Sequence, residues 1–440
     1  MDGDPSLMSL VTQTLRGMLG ISVLLGLCYV LSSNRKHINW RLVAGGLGLQ
    51  WVLAILVLKV PFVSGVLELI SLFFVEVLNF SAAGAGFIFG DLANNANTYG
   101  TVFAFRVVPS IIFFSAVTSV LYYLGILQKF VMVFAWVMKK TMHLSGAESL
   151  AAAANIFVGQ TEAPLVVKPY IEKMSRSEIL ALMTGGMATI AGAVMVAFIE
   201  FLGGDDPVAK AEFGKHLLTA SLLNAPGALV CAKMLLPETK EVDTRLEVSK
   251  DRMGVNVFDA AAGGTTQGVT LAFNVAAMLL VFIAFIAMFN FALTNWLGGP
   301  LGLNAWVNEV TGGRFETLSM EFLFGILFAP VAWIIGVDWE SCTQVGRLLG
   351  EKLVLNEFVA YGNLGQQIQS GAFTDQRAII IATYALCGFA NFSSMGIQIG
   401  GIGVLAPSRR GTLSELALKS LLGGTIACLV TASIAGIFAV

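Results

Sequence analysis

Long apolar runs, each closed by a short charged or glycine-rich stretch, divide this chain from end to end. Residues 17–33, 42–60, 103–127, 178–203, 215–236, 270–296, 378–405 and 415–438 are each long and apolar enough to cross a bilayer as a helix. The pattern therefore predicts eight crossings. Two further stretches, 144–173 and 340–370, are apolar but interrupted at their centres by acid, amide and glycine. Irregular backbone at membrane depth is tolerated only inside protein or against a water-filled cavity. Both stretches thus read as re-entrant hairpins rather than lipid-facing spans. The run 62–80 carries Glu68 and Glu76 near one helical face, which suits a helix lying flat at the interface, and 318–337 reads either way.

Composition agrees with the pattern. Of 440 residues, 56% are hydrophobic and 12% charged, where a soluble domain carries about 25% charged residues. The fold class is an all-α polytopic membrane protein. A net charge of -2 gives no reason to expect a nucleic-acid partner. Cysteines 28, 231, 342, 387 and 428 are scattered, with no C-x-x-C pair, so neither a disulfide framework nor a metal site is expected. His37, His143 and His216 lie too far apart in sequence to suggest a metal cluster. The run 17–33 follows a leader holding Asp2 and Asp4 rather than a basic cluster, and reads as a retained span instead of a cleaved signal.

Charge orients the spans. Arg35, Lys36 and Arg41 follow the first; Lys139, Lys140, Lys173 and Arg176 flank the first hairpin. Lys240, Arg245, Lys250 and Arg252 follow the fifth span, and Arg409, Arg410 and Lys419 separate the last two. With eight crossings and both termini outside, all four clusters face the cytoplasm and the acidic GGDDP at 203–207 faces out. The two hairpins then enter from opposite faces, as an inverted repeat requires. ANIFVGQTEAPLV followed by GGMATIAGAVM parallels LNEFVAYGNLG followed by CGFANFSSMGIQIGG. Each half pairs an acid-bearing hairpin with a small-residue helix that looks breakable near the midplane.

An intramembrane carboxylate is costly and by default marks function. Glu162 and Glu357 are the two leading candidates. With Gln160, Thr161, Asn391 and Ser394 they suit a solute rich in hydroxyls and ring nitrogens, and freed backbone groups beside a helix break can hold a cation. Phe389 reads equally as a stacking wall or as packing. Arg106 reads as snorkelling to a span end or as the partner of an acid.

The segments NIFVGQTEAPLVV, NEFVAY and CGFANFSSMGIQIGG, with AFRVVPSIIFFSAVTSVLYYLG and LAPSRRG, resemble the bacterial form of the concentrative nucleoside transporter family, in order and over nearly the whole chain. The resemblance implies a homotrimer of eight-span protomers in the bacterial inner membrane, importing nucleosides with sodium or protons by an elevator motion. It implies that Gln160, Thr161 and Glu162 contact the base, that Glu357, Asn391 and Ser394 hold the ribose, and that Val194 and Phe389 line the same pocket. It implies a cation held by Asn155, Thr189 and the carbonyls of Val158 and Ile190. Thr189 stands where serine is common in the family. The G-Q-T-E tip resembles sodium-coupled members, so Na+ is the expected co-transported ion, with no organic cofactor. By the same resemblance, 1–127 is mainly scaffold, 128–236 the first repeat half with spans four and five, 257–300 scaffold span six, and 318–440 the second half with spans seven and eight. Proton coupling and transport of nucleobases or other small polar solutes are the neighbouring alternatives. A channel and an intramembrane hydrolase are more distant ones. The hydrolase lacks H-E-x-x-H, or a histidine near a nucleophile within a span.

Overall fold

The computed structural model describes residues 5–94, 102–243, 245 and 254–438; Asp2, Asp4, Lys250 and Arg252 lie outside them. Among the described residues the chain is helical, without a strand. The outer elements are α1 (Pro5–Val30), α2 (Trp40–Lys59), α3 (Pro61–Phe89), the short α4 (Asp91–Asn94) and α5 (Phe103–Tyr123). Gly125, at φ 74°, ends the run that the sequence carries to residue 127. A separate amphipathic helix follows it, α6 (Ile126–Met142), which the apolar pattern did not single out. Its exposed Trp136 lies under the Lys140 ammonium, 4.9 Å from the ring centre.

The first hairpin is α7 (Gly146–Ala154), an irregular tip, and the short α8 (Ala163–Val166) and α9 (Lys168–Ile171). Pro164 stands in the first turn of α8, where its missing N–H costs nothing. The fourth span is broken into α10 (Arg176–Ala188) and α11 (Gly192–Gly203), and α12 (Pro207–Leu235) returns. Both α7 and α10 begin with a Ser-x-x-Glu capping box, Ser145/Glu148 and Ser175/Glu178. The long α13 (Val257–Ala292) continues as a π-helical turn to Gly298; α14 (Leu303–Thr311) and α15 (Met320–Ile334) follow. At 15 residues α15 is too short to span a bilayer alone, and it packs on the second hairpin. That hairpin is α16 (Cys342–Val354) and α17 (Glu357–Gln369). Finally come α18 (Gln376–Leu386), α19 (Phe392–Leu405) and α20 (Arg410–Phe438).

Among the described residues eight stretches are long and apolar enough to cross by length and composition, the number expected, and one of them is the broken 176–203. The run 378–405 is no continuous span: it is broken at 387–391 into halves of 11 and 14 residues. The run 62–80 lies within the 29-residue α3, which length and composition alone would also let cross. Ser71 of α3 donates to Ala211 O at 2.6 Å and lies against Gly214, so α3 meets α12 in its first turns.

Contacts sort the loops by charge. At one end Ser33 N donates to Leu235 O (2.9 Å), Arg176 pairs with Glu415 (2.7 Å), Arg409 Nε donates to Glu172 O (3.0 Å) and Gly146 N donates to Asp243 O (2.9 Å). The described members of the basic clusters after α1, beside the first hairpin, after α12 and before α20 therefore share an end. At the other end Arg106 pairs with Asp205 (3.1 Å) and Glu200 (3.5 Å), so Arg106 partners acids rather than simply snorkelling. Gln369, at the base of the second hairpin, donates to Phe201 O beside that acidic loop. The hairpins enter from opposite ends.

Burial divides the molecule into an inside and an outside. The apolar windows of 176–203 and 207–235 are wholly buried, whereas that of 257–298 is 11% buried. The outer helix α13 is pinned to α5 by a stripe at every fourth residue, Ala260, Gly264, Gly268 and Ala272, all buried. A Cβ on Gly268 would stand 2.7 Å from Ile112 Cα, so only a small residue lets the two backbones meet.

The two helix breaks touch at the centre. Gly388, at φ 126°, sits so close to Ala188 that a Cβ would lie 2.6 Å from the Ala188 carbonyl oxygen. A break frees carbonyls that buried surroundings must satisfy. Asn224 of α12 does this for both, donating to Ala188 O at 2.7 Å and to Cys387 O at 3.2 Å.

Candidate functional site

Each break and each hairpin tip offers backbone ends and short polar side chains to one cavity. Asn391 caps α19: its Oδ1 accepts from Ser394 N (2.9 Å) and from the Ser393 hydroxyl (2.7 Å). Its Nδ2 donates to the Glu357 carboxylate at 2.7 Å. Glu357 opens α17 behind the cap Asn356, where the positive end of the helix dipole favours a carboxylate. Gln160 Nε2 donates across to Ser394 Oγ at 3.2 Å and leaves its buried Oε1 without a partner. The tip of the first hairpin and the start of α19 thus already touch, and an acceptor remains for a bound group.

Glu162 lies over Gly159, where a Cβ would stand within 2.2 Å of Glu162 Oε2 and displace the carboxylate. Thr161 packs on Gly401 in the same manner, its Cγ2 2.8 Å from the position of a Cβ there. The cavity is lined by Gln160, Thr161 and Glu162 from the first tip and by Val194 from α11. Glu357 enters from the second tip, and Phe389, Asn391 and Ser394 from the second break and its continuation. All eight residues singled out for substrate meet there. Reasoning from sequence missed Asn356 and Ser393, and also the far wall, Leu271, Val275 and Met278 of α13. The two polar residues flank named motif positions and were within reach. The apolar wall had no signal, because its side chains look like any lipid-facing face.

The four residues singled out for a cation lie behind the tip. Asn155 ends α7, is 1% exposed, and has both side-chain polar atoms without a partner. Its Nδ2 is 3.1 Å from where a Cβ on Gly185 would be, which puts the amide at the last turn of α10. Thr189, the C-cap of α10, donates its hydroxyl to Gly185 O at 2.8 Å and keeps oxygen lone pairs free to accept. Ile190 is buried within the break, and Val158 lies in the tip beside it. An orphaned buried amide facing a helix C-terminus fits an oxygen-coordinated cation. Among the described residues no group of three His, Cys, Asp or Glu could hold a metal in their stead.

Comparison with known proteins narrows this. The model described as Na+ dependent nucleoside transporter C-terminus matches residues 216–436, its N-terminus counterpart 19–92, and a nucleoside recognition gate model 104–205. An uncharacterized transporter of Haemophilus influenzae is 41% identical over 428 residues, 96% of this chain and 97% of its own. Sodium/nucleoside cotransporter 1 of Mus musculus is 40% identical over 95% of this chain, which spans 63% of that longer protein. A solved structure of CNTnw in an inward-facing substrate-bound state matches with TM-score 0.85 and 39% identity, covering 97% of this chain and 99% of that one. An outward-facing form matches with TM-score 0.86 and 38% identity, covering 97% and 98%.

Paired hairpins, two broken helices and one polar cavity among membrane-spanning helices define a secondary transporter. Within that class, the chain belongs to the concentrative, sodium-dependent nucleoside transporter family. It is a multi-pass membrane protein whose family carries nucleosides and is not a family of enzymes.

Proposed function

We propose that this protein imports nucleosides by symport with Na+, in an elevator-type cycle. The observation that carries the reading is the meeting of both hairpin tips and both broken helices on one cavity, beside a separate orphaned amide. In this reading Gln160, Thr161 and Glu162 address the base, and Glu357, Asn391 and Ser394 the ribose hydroxyls. Phe389 and Val194 supply apolar contact. A carboxylate already held by one amide can accept from two vicinal hydroxyls, and such charge-assisted bonds are about twice as strong as neutral ones. Na+ sits on the Asn155 side chain, the Thr189 hydroxyl and the carbonyls of Val158 and Ile190. It bridges the first tip to the C-terminal end of α10, and so orders the tip that meets the base.

The protein works as a homotrimer in the bacterial inner membrane, with both termini outside. The scaffold is 1–127 and 257–300, with α3 lying across the outer face. The moving part is 128–236 and 318–440. The exposed apolar face of α13, with Phe273 and Leu280, is available to lipid and to partner copies. Calorimetric titration of the purified protein with uridine and adenosine, in sodium and in choline, tests the reading. Binding of either nucleoside that strengthens with sodium supports it. Binding of neither, or equal binding in both salts, contradicts it.

A further inference from the structure

Buried lysines at membrane depth are rare and normally paired with an acid. Lys352, in the arm α16 of the second hairpin, is 3% exposed, and among the described residues no carboxylate lies within 4 Å of its ammonium. Its neighbour Glu351 is taken by Arg347 (2.7 Å) and Asn363 (2.8 Å). Lys352 Nζ instead donates to the Ala385 carbonyl at 2.9 Å, in the last turn of α18.

The first repeat half has a matching place. Its hairpin arm ends at Asn155 as α16 ends at Leu355, and three residues before each end stand Ala152 and Lys352. The last turn of α10 faces the orphaned amide of Asn155, and the last turn of α18 faces the ammonium of Lys352. Each helix C-terminus carries roughly half a negative charge. The two ends are clamped together by Asn224, so the demand for positive charge is doubled within one small buried volume.

We propose that Lys352 is a built-in cation at the second helix break, occupying the place that the first break leaves open for an ion from solution. The proposal rests on the sodium reading above. It makes the two breaks chemically alike but differently supplied: one cation arrives with each substrate, and one is tethered. Lys352 is thereby a positioning residue. It fixes the break whose far side presents Asn391, and through Asn391 it orients Glu357.

The test is the sodium dependence of nucleoside affinity, by calorimetry, in wild type and in Lys352→Gln. Gln removes the charge and supplies a carbonyl oxygen that can take part in holding an ion. Wild type is expected to show a sodium Hill slope near one. Lys352→Gln is expected to lose about tenfold in affinity at low sodium, to regain it at high sodium, and to show a slope rising toward two as a second ion enters. A merely structural lysine would lower the melting temperature without changing the slope. A slope near one with unchanged affinity in Lys352→Gln overturns the proposal while leaving the sodium reading intact. A flat wild-type response overturns both. A wild-type slope of two also overturns the proposal, and does so whether or not the variant folds.

Discussion

Glu357 carries the most weight among single residues. It is buried, its carboxylate accepts from Asn391, and it opens onto the cavity. In the proposed ribose contact Glu357→Ala removes the acceptor of two hydroxyls at about 1.5–3 kcal/mol each, so nucleoside affinity is expected to fall by roughly two orders of magnitude or more. Calorimetry on the folded variant checks this, and unchanged affinity would remove Glu357 from the site. A deoxyribose substrate is expected to bind more weakly than its ribose parent by about 1–3 kcal/mol, because one buried partner is left unmet. Asn155 makes a different prediction. At the proposed sodium site Asn155→Leu removes a ligand oxygen without adding charge, so nucleoside affinity should persist at its sodium-free level and lose its sodium dependence. Coupling between two sites is reciprocal, so nucleoside should equally cease to favour sodium. Full sodium stimulation in the variant would place the ion elsewhere.

The helix breaks are the elements on which the site depends. No proline causes them; Thr189, Ala191 and Cys387 are extended, and Gly388 takes a positive φ that only glycine adopts without strain. Gly388→Ala would force that strain and also drive a Cβ into Ala188 O, which costs about 1–3 kcal/mol from backbone strain alone. A melting temperature lower than wild type in detergent is expected, and an unchanged one would show that the two breaks do not need this contact. The hairpins and the breakable character of the fourth and seventh spans were legible beforehand, because Gln160, Thr161, Glu162, Glu357 and Asn391 have no place facing lipid. The amphipathic α6 was not, since a run such as FVMVFAWVM hides a one-sided helix inside continuous apolarity. Nor was the pairing of Arg106, whose acids lie 94 and 99 residues away in sequence. Asn224 was missed for the same reason: one amide in a long span acquires meaning only when two distant carbonyls are brought to it.

For the whole molecule, the contrast between wholly buried inner helices and the largely exposed α13 is what the proposed division into a moving part and a scaffold rests on. The cavity lies on that boundary, since Leu271, Val275 and Met278 of α13 close it. A second cleft on the same boundary brings Phe157 and Val158 of the first tip beside Gln267 and Leu271. In an elevator cycle those neighbours must change. With the five native cysteines replaced, cysteines at Phe157 and Gln267 are expected to crosslink in one state, and Phe157 is expected to reach a different α13 position in the other. One invariant pair in an active transporter would point to gating in place. All of these expectations depend on sodium driving nucleosides uphill. Purified protein in proteoliposomes, given labelled uridine or adenosine and an inward sodium gradient, should accumulate nucleoside above its external concentration. A sodium ionophore should collapse that accumulation, with a proton gradient unable to replace it. Mere equilibration, or accumulation driven by protons without sodium, would contradict sodium-coupled symport.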